Sequence, residues 1–144
     1  MNVIDQGAVA RGAAIGLMLF VPISALRVIA DHNLNDFDHS GWAPVFAIAL
    51  LAVYLIAGYM SGRVAPDAPY SNGMVAAIGA FVLWIPIRLL IWAVRDTSQG
   101  LFSGTTPVFT VPAVFTQLVL AAALGAVGGW LAGRRRVPLD APEA

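Results

Sequence analysis

Arg27 and Arg88 sit inside runs that are otherwise almost wholly apolar. A guanidinium keeps its charge in any protein environment, and a charged side chain at the centre of a membrane helix costs about 2.5–3.5 kcal/mol on insertion scales. Such a residue needs an anion or a route to water. With the third apolar run centred near Leu83, Arg88 lies roughly 7 Å past the middle by helical rise. That leaves roughly 8 Å to the boundary of a ~30 Å hydrocarbon core, a gap that a long side chain nearly covers by snorkelling. Arg27 is closer still to the end of its run. Two chemistries follow. Facing a cavity or another chain, the pair binds an anion on the outer side: a lipid phosphate, an anionic substrate or an acid from a partner subunit. Facing lipid, each arginine reaches the headgroups or pairs with Asp31 and Asp96 at the helix ends.

A second cluster lies in "DHNLNDFDH", where Asp31, His32, Asp36, Asp38 and His39 gather imidazole and carboxylate groups. That donor set suits zinc or manganese, and a pair of histidines suits pH sensing. The spacing matches no defined metal motif, and a solvated acidic loop is the plainer account, so no metal or cofactor is expected. Ser98, Ser103, Thr105 and Thr106 offer hydroxyls without a neighbouring base, and no G-x-S-x-G elbow is present. No Asp, Glu, His or Lys falls in an apolar run, which disfavours a proton relay. Both histidines lie in one loop, so haem held between membrane histidines is excluded. The absence of cysteine excludes disulfides, thiolate catalysis and iron–sulfur clusters. The expectation is a protein that is not an enzyme.

The elements that would position the arginines are read from composition. The 144 residues are 59% hydrophobic and 11% charged, with mean hydropathy +0.80, against about 25% charged in soluble domains. Runs at 8–30, 42–62, 73–94 and 112–133 each reach the ~20 residues that a bilayer core requires. The expected fold is an all-α membrane protein of one domain with four transmembrane helices and a short tail at 134–144. Pro112 is suited to open the fourth helix, with Thr110 as its cap. The first run lacks a basic flank and a cleavage site, and reads as a permanent span. Arg11, Arg63 and Arg134–Arg136 fall on one side of an even-span arrangement and only Arg95 on the other, which places both termini in the cytoplasm. Net charge is zero and no basic stripe appears, so nucleic acid is not an expected partner.

The chain says some things twice. "AGYMSGRVAP" and "GGWLAGRRRVP" place Gly58, Gly62 and Arg63 71 residues before Gly129, Gly133 and Arg134, while "LFVPIS" and "LWIPIR" match Pro22 to Pro86 at an offset of 64. The simplest account is a duplicated helical hairpin, giving two tandem parallel repeats related by an axis along the membrane normal. The alternative is convergence on a generic way to end a span. The repeat sets Arg27 opposite Ile91, three residues beyond Arg88, so the two side chains would share nearly one face of equivalent helices.

Gly12/Gly16, Gly58/Gly62 and Ala76/Ala80, with the row Ala121, Gly125, Gly129 and Gly133, have the four-residue spacing that lets helix backbones approach in lipid. Pro22 and Pro86 are expected to kink their helices, and the carbonyls of Met18 and Val82 then need other partners. Ser24, Thr116 and Gln117 are expected to bond across helices. Tyr59, Tyr70, Trp42, Trp92 and Trp130 fall where interfacial aromatic anchors belong. Ser71 or Asn72 is placed to cap the third helix, and Leu101 and Phe102 to dip into the outer interface.

The segment "GYMSGRVAPDAPYSNGMVAA" resembles the junction between the second and third spans of small four-pass bacterial inner-membrane proteins of unassigned function. The resemblance implies a bacterial inner membrane and four spans, and no substrate, cofactor or catalytic residue. Small multidrug carriers of similar size would want an intramembrane Glu, which is absent; dual-topology fluoride channels would show weaker arginine bias. The reading is a protein that acts by association with membrane lipids and other membrane subunits. It would serve as an accessory, assembly or stabilising subunit, or as a homo-oligomeric scaffold. The alternative is a small oligomeric transporter or channel with an outward-facing anion or headgroup site at Arg27 and Arg88.

Overall fold

A computed structural model describes residues 4–34, 36–94 and 109–134. Its elements are α1 (Gln6–Asn33), α2 (Trp42–Val64), α3 (Pro69–Val94) and α4 (Val111–Arg134). All four are long and apolar enough to cross a membrane. Each contains one of the runs read from the sequence and extends it by a few residues, because polar residues finish the ends. The Asp5 carboxylate accepts from the Ala8 N–H at 3.0 Å, and Thr110 Oγ1 accepts from the Ala113 N–H at 3.2 Å. These side chains satisfy backbone donors that have no partner within the helix. α3 starts at Pro69 rather than Gly73, a proline being well suited to the first helical position. Ser71 and Asn72 therefore lie inside the helix and do not cap it. α1 and α3 remain helical through Pro22 and Pro86, and both prolines are exposed.

Glycine contacts set the direction of each helix. Gly12 meets Ala57, Ser61 and Ala76, whereas Gly16 meets Val53, Ala57 and Ala80. The register rises together on α1 and α3 and falls on α2, so α1 is parallel to α3 and antiparallel to α2. Gly58 meets Gly125, and Gly62 meets Gly129, which makes α2 and α4 parallel. One end of the bundle, here the near end, therefore holds the starts of α1 and α3 and the ends of α2 and α4. The far end holds the other four.

α1 packs on α2 and α3, α4 packs on α2 and α3, and α2 touches α3, but α1 and α4 do not meet. The section is a rhombus with α2 and α3 on its short diagonal. A two-fold axis relating the hairpins would make the α1/α4 and α2/α3 pairs equivalent. The contacts lack that equivalence: the hairpins lie side by side, α1 beside α3 and α2 beside α4.

Packing changes along the bundle. The near half is built from small residues. A methyl group added at Gly73 would lie 2.5 Å from Gly125 O, 3.0 Å from Gly129 Cα and 3.0 Å from Gly58 O. The backbones of α2, α3 and α4 thus converge on one point, a form of association that lipid favours because tails compete with large side chains but not with such close approach. Midway, the core turns aromatic. Phe20 stands edge-on to Tyr54 with centroids 5.1 Å apart and stacks on Trp84 at 6.0 Å. These rings fill the space that opens as the small-residue rows end.

Candidate anion site at the far end

Arg27 stands six residues before the end of α1, and Arg88 six before the last residue of α3. By helical rise each Cα is about 9 Å short of its helix end. The two helices are neighbours, and their register, with Gly12 at Ala76 and Gly16 at Ala80, sets Arg27 level with Ile91, three residues beyond Arg88. Two like charges thus stand within one helical turn of the same depth in the far half of an apolar bundle.

Each guanidinium is seated on an aromatic ring at the far end. Arg27 Cζ lies 5.7 Å from the centroid of Phe37, and Arg88 Cζ lies 5.1 Å from that of Phe109. Both rings are buried, at 4% and 9% exposure, and each comes from the segment that follows the arginine's own helix. A cation over an aromatic face within about 6 Å gains from about 0.5 kcal/mol at exposed sites to about 2 when desolvated. Phe37 is fixed in turn. Its ring packs on Phe46 at 5.8 Å, while its carbonyl accepts from the Ser40 N–H at 3.0 Å and from Ser40 Oγ at 2.6 Å. The acids and histidines between α1 and α2 are exposed, as expected of a solvated acidic loop, but Asp31 and His32 belong to the last turn of α1 and the turn that follows is folded over one buried phenylalanine.

Among the described residues, no carboxylate pairs with Arg27 or Arg88. Asp31 is exposed and makes no ion pair with Arg27. Asp96 lies outside the described residues, as do Arg95, Ser98, Leu101, Phe102, Ser103, Thr105, Thr106, Arg135 and Arg136. His39 Nδ1 lies 2.8 Å from Asp36 Oδ1, at hydrogen-bond distance, with both side chains largely exposed. Among the described residues no three of the donor side chains converge as a metal site: of Asp31, His32, Asp36, Asp38 and His39, the structure pairs Asp36 with His39.

A cleft of about 100 Å³ opens beside Arg88 between α3 and α4, lined by Phe81, Trp84, Ile85, Arg88, Phe109, Ala113, Val114 and Gln117. Its polar groups are the Arg88 guanidinium and the Gln117 amide, and Gln117 Oε1 accepts from the Tyr54 hydroxyl at 2.9 Å. Gln117 therefore bonds across helices. Thr116 instead donates to the Pro112 carbonyl of its own helix at 2.8 Å, and Ser24, half-buried, makes no bond to another helix among the described residues. Sequence reasoning missed Tyr54. Its signal was position: a tyrosine at the middle of a span is too deep to be an interfacial anchor.

Asn72 was also underread. It is 1% exposed and joins three helices at the near end. Its Oδ1 accepts from the Asp5 N–H at 2.8 Å, its Nδ2 donates to Ala68 O at 2.9 Å, and its carbonyl accepts from Ser61 Oγ at 3.1 Å. Near-end arginines also sit on rings, Arg63 on Tyr59 at 5.9 Å and Arg134 on Trp130 at 3.9 Å. Each hairpin therefore carries one arginine–aromatic pair at either end, in corresponding places.

The glycines singled out in the sequence all lie at helix contacts. Gly12 and Gly16 receive α2 and α3, Gly58, Gly62, Gly125 and Gly129 bring backbones together, and a Cβ added at Gly133 would lie 3.2 Å from Pro69 Cγ. Comparison with protein-family models, with curated proteins and with solved structures finds no match for this chain.

Proposed function

We propose that the protein is a non-enzymatic integral membrane protein of the bacterial inner membrane that acts by association. It serves as an accessory, assembly or stabilising subunit of a larger complex, or as a homo-oligomeric scaffold, with both termini in the cytoplasm. One observation carries this reading: the backbones of α2, α3 and α4 converge around Gly73. A single bundle closed in this way has no lumen through its near half, so its work is done on its outer faces. Those faces present large apolar side chains such as Met18, Ile48, Leu90 and Phe115, suited to lipid and to neighbouring helices. The matched arginine–aromatic pairs support reading the two hairpins as a duplication.

The chain has no native cysteine, so single cysteines at Met18, Ile48, Leu90 and Phe115 can be crosslinked in native membranes. The expected result is a discrete adduct of at least twice the monomer mass from one or two positions. A monodisperse monomer in mild detergent, with no adduct from any of the four, would overturn the reading.

The arginine pair supports a second reading, a small oligomeric transporter or channel in which anions pass between subunits. Anion flux into liposomes that is lost in R27Q/R88Q would support it. Flux that survives those changes removes its basis.

A further inference from the structure

We propose that Arg27 and Arg88, held by Phe37 and Phe109, form a binding site for a phosphate group, filled by the headgroup of an anionic phospholipid whose glycerol end enters the cleft between α3 and α4. The site does not depend on the association reading, and its test reads out lipid, not partners.

The first step is electrostatic. Two guanidiniums on adjacent helices repel one another, and the repulsion is stronger in low dielectric than in water. Each is seated on a buried ring within about 6 Å, which lowers the entropy lost when a ligand arrives. Among the described residues no carboxylate neutralises either charge. An anion bridging the pair turns the repulsion into two attractions.

The second step selects the anion. Guanidinium is a planar fork of donors that matches phosphate and carboxylate oxygens in bidentate fashion. The non-bridging oxygens of a phosphodiester allow two forks to bind from different sides. With each Cα about 9 Å from its helix end, the side chains reach the level at which lipid phosphates reside. The third step is shape. The cleft beside Arg88 has an apolar wall at Phe81, Ile85 and Val114 and polar groups at Arg88 and Gln117. That pattern fits a glycerol ester, with its oxygens at the polar groups and the first methylenes of a chain along the apolar wall. An inorganic anion would use the polar part alone.

The test uses full-length protein stripped of lipid in a neutral detergent and titrated by native mass spectrometry with phosphatidylglycerol, with diacylglycerol and with inorganic phosphate. Phosphatidylglycerol is expected to bind at least tenfold more tightly than diacylglycerol, with R27Q/R88Q removing that margin and R63Q/R134Q leaving it intact. R27K/R88K keeps both charges without the forks and is expected to lose roughly three- to tenfold; it also serves if the glutamine pair does not fold. Displacement of the lipid by millimolar inorganic phosphate would keep the phosphate chemistry and reassign its source to the free anion. Equal binding of phosphatidylglycerol and diacylglycerol would overturn the site. So would a margin unchanged in R27Q/R88Q, or R27Q/R88Q variants that break an oligomer while binding lipid normally; the last outcome would assign the arginines to a partner's acid.

Discussion

The Tyr54 hydroxyl donates to Gln117 Oε1 at 2.9 Å and so joins α2 to α4 in the middle of the bundle, where Tyr54 is 1% exposed. Interhelical hydrogen bonds in membrane bundles contribute about 0.6 kcal/mol on average and up to about 1.7. Y54F and Q117L are therefore each expected to destabilise the bundle modestly. The double variant should lose less than the sum, with a coupling of about 0.6–1.7 kcal/mol. Unfolding in bicelles by denaturing detergent measures this, and a coupling near zero would show that the bond contributes nothing.

Glycine substitutions should divide by location. A Cβ at Gly58 runs into the backbone of Gly125, which cannot turn aside as a side chain can, whereas Gly41 has nothing within 4 Å and sits at helical dihedrals, φ −62° and ψ −10°. G58A is expected to cost about 1–3 kcal/mol or more by overpacking, and G41A to stay within about 0.5 kcal/mol of the parent as surface changes do. Equal melting temperatures for the two variants in detergent would contradict the contact.

Asn72 gives a third case. N72L removes the acceptor for the Asp5 N–H and the donor to Ala68 O. An unpartnered buried polar group costs about 1–3 kcal/mol, and here the loss falls on the start of α1. Hydrogen exchange at the Asp5 amide is expected to accelerate, with the α2–α4 contacts unaffected. Unchanged exchange there would remove Asn72 from this role.

Orientation is open to direct labelling, because the chain lacks cysteine. D38C, at the far end, is expected to react in intact cells with a maleimide that cannot cross the membrane, and D67C, at the near end, only after permeabilisation. The reverse pattern would invert the proposed topology.

The arithmetic of length and composition made the helices legible. All four runs were visible as spans, because a bilayer-length apolar stretch has few alternative fates. The small-residue rows were visible through their four-residue spacing, and the arginines through their cost in lipid. What the sequence did not show was partnership across the bundle. Phe37 looked like one apolar residue in an acidic loop, and its burial beneath Arg27 depends on the turn held by Ser40. Asn72 looked like a cap, because nothing local reveals that residues 67 positions apart will meet. The repeat raised the expectation of two-fold packing. Packing answers to shape, and the glycines on α2, α3 and α4 pulled those three helices together without an equivalent on α1 facing α4.

That missing contact has a bearing on how the chain is made. α1 requires only α2 and α3, so the first three helices can settle together while the ribosome is still producing the rest. α4 then arrives last and closes a slot whose floor is Gly58, Gly62 and Gly73. A nascent chain halted before Val111 should be a docked trio with one bare glycine seam, which is the form that a quality-control protease or an insertion chaperone would encounter.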